Sequence, residues 1–537
     1  MTRRILLIGA TGVFGERLAR MIARWDDVTL VLAARRLAPL QALAARLEGP
    51  ARIETAVFDR TAPEGLAALK LWALVDAAGP FRPGEYALPL AAVAAGVHYV
   101  DLADSRPFWL GFRKAVPLDC GVSTSVGASS TPALSQAVLQ RMTAGWTRID
   151  TVSAAISPGG RAPRGRSALA SILSWAGQPV QVFDGGGWTV SRGWSGPKRL
   201  RFPFIGARWV VLADTPDLDA MPAFQKPRRS GLFRAGVESP VGVWGLWLLC
   251  WFVRLSLIRS LAPLEPLIWR LTGLLTLGVS DRGGMIAEAA GLDGDGRAVR
   301  ARWALWAEPG AGPSTPAAPA AAILRATLDG PAVASGRPIV EAILAELKPW
   351  PIHTRLDVGW PDARGLVPRT LGPAYLALPA AVRRMHAGDA AVRASGVAVA
   401  KGSRGLAAMA RRLLGLPGRG RHPAVIDLVP RGEGEAWTRR FGKGRFASLI
   451  RPLPDDPGAF EECVGPLAFR IRLDADATGF AWTPDGWRLG PLPLPRRWAP
   501  IVRARSFERG GTYRFSVLVA HPWLGVIFAY AGRLTIA

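Results

Sequence analysis

Arg4-Ile-Leu-Leu-Ile-Gly-Ala-Thr-Gly-Val-Phe-Gly15 runs directly into a helical stretch from Glu16 to Trp25. Ile5 to Ile8 is a short apolar run of the kind that forms a strand buried in a parallel sheet. Gly9, Gly12 and Gly15 follow at three-residue intervals. Glycines so placed let the backbone turn sharply, approach a pyrophosphate and seat a helix closely on a strand. The helix N-terminus then offers N–H groups to phosphate oxygens. Phe14, Leu18, Ile22 and Trp25 make one apolar helical stripe. The spacing is GxxGxxG, so its meaning rests on the strand before it and the helix after it. A dinucleotide-binding loop is expected, with Gly9, Thr11, Gly12, Val13, Phe14 and Gly15 against the cofactor.

Val28 to Ala34 reads as a second buried strand and ends in Arg35-Arg36. An NAD enzyme usually carries an acidic residue here for the ribose hydroxyls, whereas arginine suits the 2′-phosphate of NADP. NADP is therefore expected over NAD. Arg52 to Asp59 reads as the third strand, with Asp59 at the adenine end. Trp72 to Ala78 is the fourth, followed by Gly79-Pro80-Phe81. A helix near 86–95 leads to a fifth strand, Gly96 to Ala103, and 121–127 supplies a sixth. Ligands in such sheets bind beyond the carboxyl ends of the strands, which puts Ala78, Gly79, Pro80, Phe81 and the 99–104 turn near the nicotinamide. Tyr99 and Asp101 are the candidates for relaying a proton there, or else they shape the turn. His98 should point away from Tyr99, because side chains alternate along a strand.

The chain has 537 residues, 49% of them hydrophobic and 20% charged, enough for two or three domains with their own cores. A net charge of +26 favours anionic partners. Nucleic acid is not expected, since zinc-finger spacing, an RNA-binding aromatic signature and a basic tail are all missing from the sequence. Cys120, Cys250 and Cys463 are too far apart to suggest a disulfide framework or a CxxC site. The five histidines show no close pairing, so no metal is expected. Ile5 to Ile8 is too short for a secretory signal, which points to the cytoplasm.

Gly9-Ala-Thr-Gly-Val-Phe-Gly15, Ala77-Ala-Gly-Pro-Phe81 and Gly96-Val-His-Tyr-Val-Asp-Leu102 together resemble the saccharopine-dehydrogenase-like reductases over about residues 1–350. The resemblance implies an NAD(P)-binding domain followed by an α/β substrate domain, and an NAD(P)-dependent oxidoreductase activity. The polar pocket required by a doubly charged amino-acid substrate is not identifiable, so relatives acting on lipid-linked or otherwise hydrophobic small molecules are nearer in character. Farther on, Leu371-Gly-Pro-Ala-Tyr375, Trp437-Thr-Arg-Arg-Phe441, Glu461-Glu-Cys-Val-Gly-Pro466 and Ala529-Tyr-Ala-Gly-Arg533 resemble the domain of unknown function 4166 over about 365–537.

The expected organisation is thus a Rossmann-like doubly wound parallel sheet at 1–130, an α/β substrate domain at 131–350, and a C-terminal α+β domain at 365–537 with mainly antiparallel sheet. In the second domain, strands are expected at Ile149–Ile156 and on either side of Asp293-Gly-Asp-Gly296. Helices are expected at Arg166–Gly177 and Pro316–Leu328, the latter returning to the nucleotide domain. In the third, helices at 376–386 and 406–414 precede seven strands between Glu435 and Ile536. A curved sheet of this kind suits a hydrophobic ligand, a cap or a dimerisation module.

Within 239–278 lies a Trp-rich apolar segment, with an uncharged run of 15 residues from Ser239 to Val253. As a helix that run is about 22 Å long, short of the ~30 Å hydrocarbon core. Trp244, Trp247 and Trp251 share a helical face, and cations from Lys198 to Arg234 flank the run. Interfacial, buried and spanning helices all remain open; length and charge favour peripheral attachment through 239–262 at the inner face of a membrane. A homo-oligomer is also left open. The residues are compatible with two functions: an NADP-dependent reductase of a hydrophobic or lipid-linked substrate, or a redox-inactive NADP-binding regulator.

Overall fold

The computed structural model describes residues 2–117, 121–163, 165–273, 278–330, 340–401, 407–409, 411, 417–523 and 525–536. Cys120 and most of the helix expected at 406–414 lie outside the described residues. Contacts divide the chain into two compact units, the second comprising 145–147, 290–302 and 356–537.

Six strands open the first unit: β1 (Arg3–Ile8), β2 (Val28–Ala34), β3 (Arg52–Val57), β4 (Ala73–Asp76), β5 (His98–Asp101) and β6 (Thr124–Ser125). All neighbours are parallel and the order is β3-β2-β1-β4-β5-β6, the doubly wound arrangement expected. Ile5, Leu6 and Leu7 are fully buried, as a central strand covered on both faces must be. The expected strands are present: β1 starts two residues earlier, β2 has the expected bounds, and β3 to β6 are shorter, which leaves Asp59 and Ala78 two residues beyond theirs.

The second sheet is mixed. It contains β7 (Arg148–Ser157), β8 (Pro179–Asp184), β9 (Gly187–Arg192), β10 (Lys198–Phe202), β11 (Gly206–Leu212), β12 (Ser230–Ala235), β13 (Gly283–Leu292), β14 (Ala298–Ala307) and β15 (Ile352–Gly359). Its main path is β10-β11-β12-β7-β13-β14-β15, with β8 on β12 and β9 on β8. Asp293 shapes the β13–β14 turn, its Oδ1 accepting from the Asp295 and Arg297 amides at 3.0 and 2.9 Å. The helix Ser314–Asp329 packs on the nucleotide domain as expected: Arg3 donates to the Leu328 carbonyl at 2.7 Å and Arg325 to Asp27 at 2.9 Å.

The third sheet, in the second unit, is antiparallel. Its strands are β16 (Val392–Lys401), β17 (Gly420–Arg431), β18 (Gly434–Phe441), β19 (Gly444–Pro452), β20 (Ala459–Val464), β21 (Leu467–Asp476), β22 (Gly479–Leu489), β23 (Leu492–Pro493), β24 (Ile501–Arg509), β25 (Thr512–His521) and β26 (Gly525–Ile536). β16 pairs with both β17 and β26, and β21 pairs with both β20 and β22, so the expected curved sheet closes into a barrel. Closure removes exposed strand edges. Leu366, Val367, Val382 and Met385, from short helices, join Trp437, Phe480 and Tyr513 in its core.

Candidate functional site

The glycine loop sits at the carboxyl end of β1. Gly9 has φ +75°, the left-handed region that glycine enters without strain. Gly15 is the point of closest approach: a Cβ there would lie 2.1 Å from the Gly9 carbonyl oxygen. A Cβ on the exposed Gly12 would meet only that oxygen, at 3.1 Å, and otherwise points into open space. The helix Val13–Ile22 follows at once, and no side chain caps its N-terminus. Thr11 is exposed, and Val13 and Phe14 are half-buried. The loop therefore leaves a backbone-lined space in front of an uncapped helix end, which fits a pyrophosphate.

Arg35 and Arg36 follow β2, are both exposed, and make no ion pair among the described residues. Across the strand ends, Asp59 Oδ1 accepts from the Thr61 amide at 2.9 Å and its hydroxyl at 2.7 Å. These bonds, with the nearby charges of Arg35 and Arg60, hold the Asp59 carboxyl below its ordinary value. Arg35 is thus an exposed cation at the end of β2, near Asp59 and with no ion pair among the described residues, at the position from which this fold reaches a ribose phosphate.

On the other side of β1, Ala78-Gly79-Pro80-Phe81 leaves β4 over a buried ion pair. Arg60 meets the fully buried Asp76 at 2.9 Å, and its guanidinium lies 5.3 Å from the Phe81 ring centre. Asp76 Oδ1 accepts from the Ala78 amide at 3.0 Å, which fixes the start of this turn. Burial raises the Asp76 carboxyl and the Arg60 charge opposes the rise. Ser167, opening the helix Arg166–Trp175, brings its hydroxyl to 4.0 Å from where a Gly79 Cβ would stand. The second sheet's layer thus contributes a wall at this edge.

The structure places Tyr99 and Asp101 inside the domain, both with no exposed surface. Tyr99 stacks on Phe112 at 5.7 Å between ring centres. Asp101 Oδ1 accepts from the Ala103 amide at 3.0 Å and the Gly127 amide at 2.8 Å, tying two strand-end loops together. The Tyr99 hydroxyl and Asp101 Oδ2 have no hydrogen-bond partner of good geometry. Burial pushes the Asp101 carboxyl up to about 7 against those amide bonds, and burial with the Asp101 and Asp76 charges raises the Tyr99 phenol. From these positions the pair holds the turn and does not reach a surface. His98 does point elsewhere: its Nδ1 accepts from the Ser123 amide at 2.9 Å.

Three further residues shape the site: Arg60 and Arg106, which carry no local sequence signal, and Asp104, which ends the expected 99–104 turn. Asp104, beyond β5, is exposed, so solvent limits the upward push that surrounding protein gives its carboxyl. Arg106, nearly buried, grips Asp219 at 2.5 and 2.9 Å and Asp214 at 3.0 Å, joining the nucleotide domain to the second layer. Its carboxylate partners lie more than a hundred positions away, beyond the reach of any local pattern.

Residues 5–140 match the family model described as saccharopine dehydrogenase NADP binding domain, and residues 378–534 match the domain of unknown function DUF4166. No curated protein matches in sequence. Among solved structures, saccharopine dehydrogenase (L-Glu forming) from Saccharomyces cerevisiae aligns at 13% identity and a TM-score of 0.49, over 66% of this chain and 99% of that one. Homospermidine synthase from Legionella pneumophila, in complex with NAD, aligns at 13% identity and 0.42, over 66% and 91%. At such identities and scores, the functional assignment rests on the family models.

Proposed function

Because residues 5–140 form a saccharopine dehydrogenase-like NAD(P)-binding oxidoreductase domain, we propose that the chain is an NADP-dependent reductase acting on a hydrophobic, lipid-like substrate. The observation that carries the reading is the open space at Gly12 in front of an uncapped helix, with Arg35 unpaired at the end of β2. Gly9, Thr11, Gly12, Val13, Phe14 and Gly15 would receive the pyrophosphate, and Arg35 the 2′-phosphate with Arg36 beside it. Asp59 would flank the adenine, and Ala78 to Phe81 would face the nicotinamide. Bound NADPH supplies the hydride. The protein's part is to position the substrate and give up a proton, for which Asp104 is the accessible acid while Asp101 and Tyr99 hold the turn beneath it.

The substrate class is inferred from the wall at Gly79. The helix Arg166–Trp175 buries Leu173 in an apolar cluster with Trp194, Val211, Val243 and Cys250, and Leu169 and Ile172 pack against the same cluster. What this helix brings to the Gly79 edge is the uncharged Ser167 hydroxyl, backed by that buried apolar cluster, and an uncharged wall suits a lipid-like molecule better than a doubly charged amino acid. Purified protein should consume NADPH when given a membrane lipid extract and not when given water-soluble amino acids and keto acids. Gly12→Val should stop consumption by filling the phosphate space while the fold is kept. NADPH binding without turnover on the extract would contradict the reductase reading in favour of a redox-inactive regulator.

A further inference from the structure

The helices Pro240–Arg254 and Glu265–Thr272 belong to the first unit and have two unlike faces. The inner face is packed: Val243 and Cys250 are fully buried, and the Trp194 indole donates to the Val243 carbonyl at 3.1 Å. The outer face is apolar and open. Val241 is 68% exposed, Leu248 59%, Phe252 49%, Leu255 63%, Leu257 66% and Leu267 56%. Leu255 and Leu257 stand in the turn between the helices, where soluble proteins place polar residues. The helical face that carries the three tryptophans is not the open one. Trp244 and Trp247 are half-buried rungs of an edge-to-face ladder from Trp209 to Trp251, and of the three only Trp251, at 42%, is open.

The charges around this face have one sign. Glu265 is the single acid between 239 and 273, and Arg166 neutralises it through two bonds of 2.7 and 2.8 Å. Arg259 and Arg270 are exposed and without an ion pair among the described residues. An apolar surface rimmed by unpaired arginines complements a bilayer whose headgroups are anionic. No helix among the described residues is long and apolar enough to cross a membrane, so the contact is in-plane.

We propose that these two helices and the turn between them are a docking surface for an anionic phospholipid bilayer, with Leu255 and Leu257 entering below the headgroups. The inference stands independently of the reductase reading. The full-length protein is mixed with vesicles of phosphatidylcholine, with or without phosphatidylglycerol, and sedimented. Wild type should pellet with the phosphatidylglycerol vesicles, bind the neutral ones less, and be partly released by salt. The triple variant L255S/L257S/I258S, in which Ile258 is the 37%-exposed neighbour of Leu257 in the same turn, should bind about tenfold more weakly when matched to wild type in thermal unfolding. Should it fail to fold, R259E/R270E supplies the test, and it should abolish the preference for anionic vesicles.

Wild type left in the supernatant with phosphatidylglycerol vesicles overturns the proposal. So does unchanged binding by the triple variant, or by the double variant where that is used. Vesicle-independent self-association lost in the triple variant overturns it in favour of a second copy of the chain. Release by detergent alone overturns the in-plane contact in favour of deeper insertion.

Discussion

At Asp101 the two carboxylate oxygens have different fates, and a pH dependence results. Oδ1 closes the loops at Ala103 and Gly127, while Oδ2 is buried without a bond of good geometry. The folded carboxyl titrates at about 7, well above the ordinary 3.8. Its contribution to stability is therefore complete below about pH 4 and is lost as pH rises through 7. Asp101→Asn keeps the acceptor and cannot ionise, so urea unfolding should show it gaining on wild type between pH 5 and pH 8. Asp101→Ala, leaving two amides unmatched, should cost about 1–3 kcal/mol at either pH. Identical pH profiles for wild type and the Asn variant would contradict this placement. Arg35 and Asp59 were legible because apolar runs mark where strands end. Arg60 and Arg106 were not, because their charges are matched by Asp76, Asp214 and Asp219 across the fold.

Elements were legible where burial is one-sided or complete. Strands β1, β2 and β4 read as apolar runs and the β13–β14 turn as Asp-Gly-Asp-Gly. β16 and β17 did not, since Gly396, Pro423 and Pro430 interrupt their pattern; Gly396 is there because a Cβ would lie 2.2 Å from the Arg533 carbonyl oxygen. In Pro240–Arg254 the helix itself was legible but not its buried side, because an almost wholly apolar run has no polar face to mark solvent. Barrel closure was equally hidden, as alternation tells which side is buried and not which strand is next.

Near the closing strands, fully buried Arg472 meets Asp357 at 2.6 Å, Asp456 at 2.6 Å and Asp485 at 3.1 Å. Burial alone would raise Asp456, but Arg302, Arg472 and Arg470 outweigh it and hold the carboxyl at about 2. Its contribution is therefore present above about pH 4 and lost as pH falls toward 2. Asp456→Ala strands buried guanidinium charge and should destabilise the barrel by about 3–5 kcal/mol at pH 7, read by urea unfolding. An effect below about 1 kcal/mol would show that the remaining carboxylates suffice.

For the whole molecule, a net charge of +26 means that many arginines lack acidic partners. Those that matter differ by setting: Arg472 is locked among carboxylates, Arg259 and Arg270 rim an apolar face, and Arg35 stands alone beside a glycine loop. On the proposed reading, this loop and Arg35 together select NADP. Fluorescence titration of NADPH and NADH into wild type and Arg35→Ala decides it. Wild type should bind NADPH more tightly than NADH. Arg35→Ala should lose about 1.5–3 kcal/mol for NADPH, roughly 10- to 150-fold, with little change for NADH. Equal affinity of wild type for both cofactors, or equal loss of both in the variant, would contradict it.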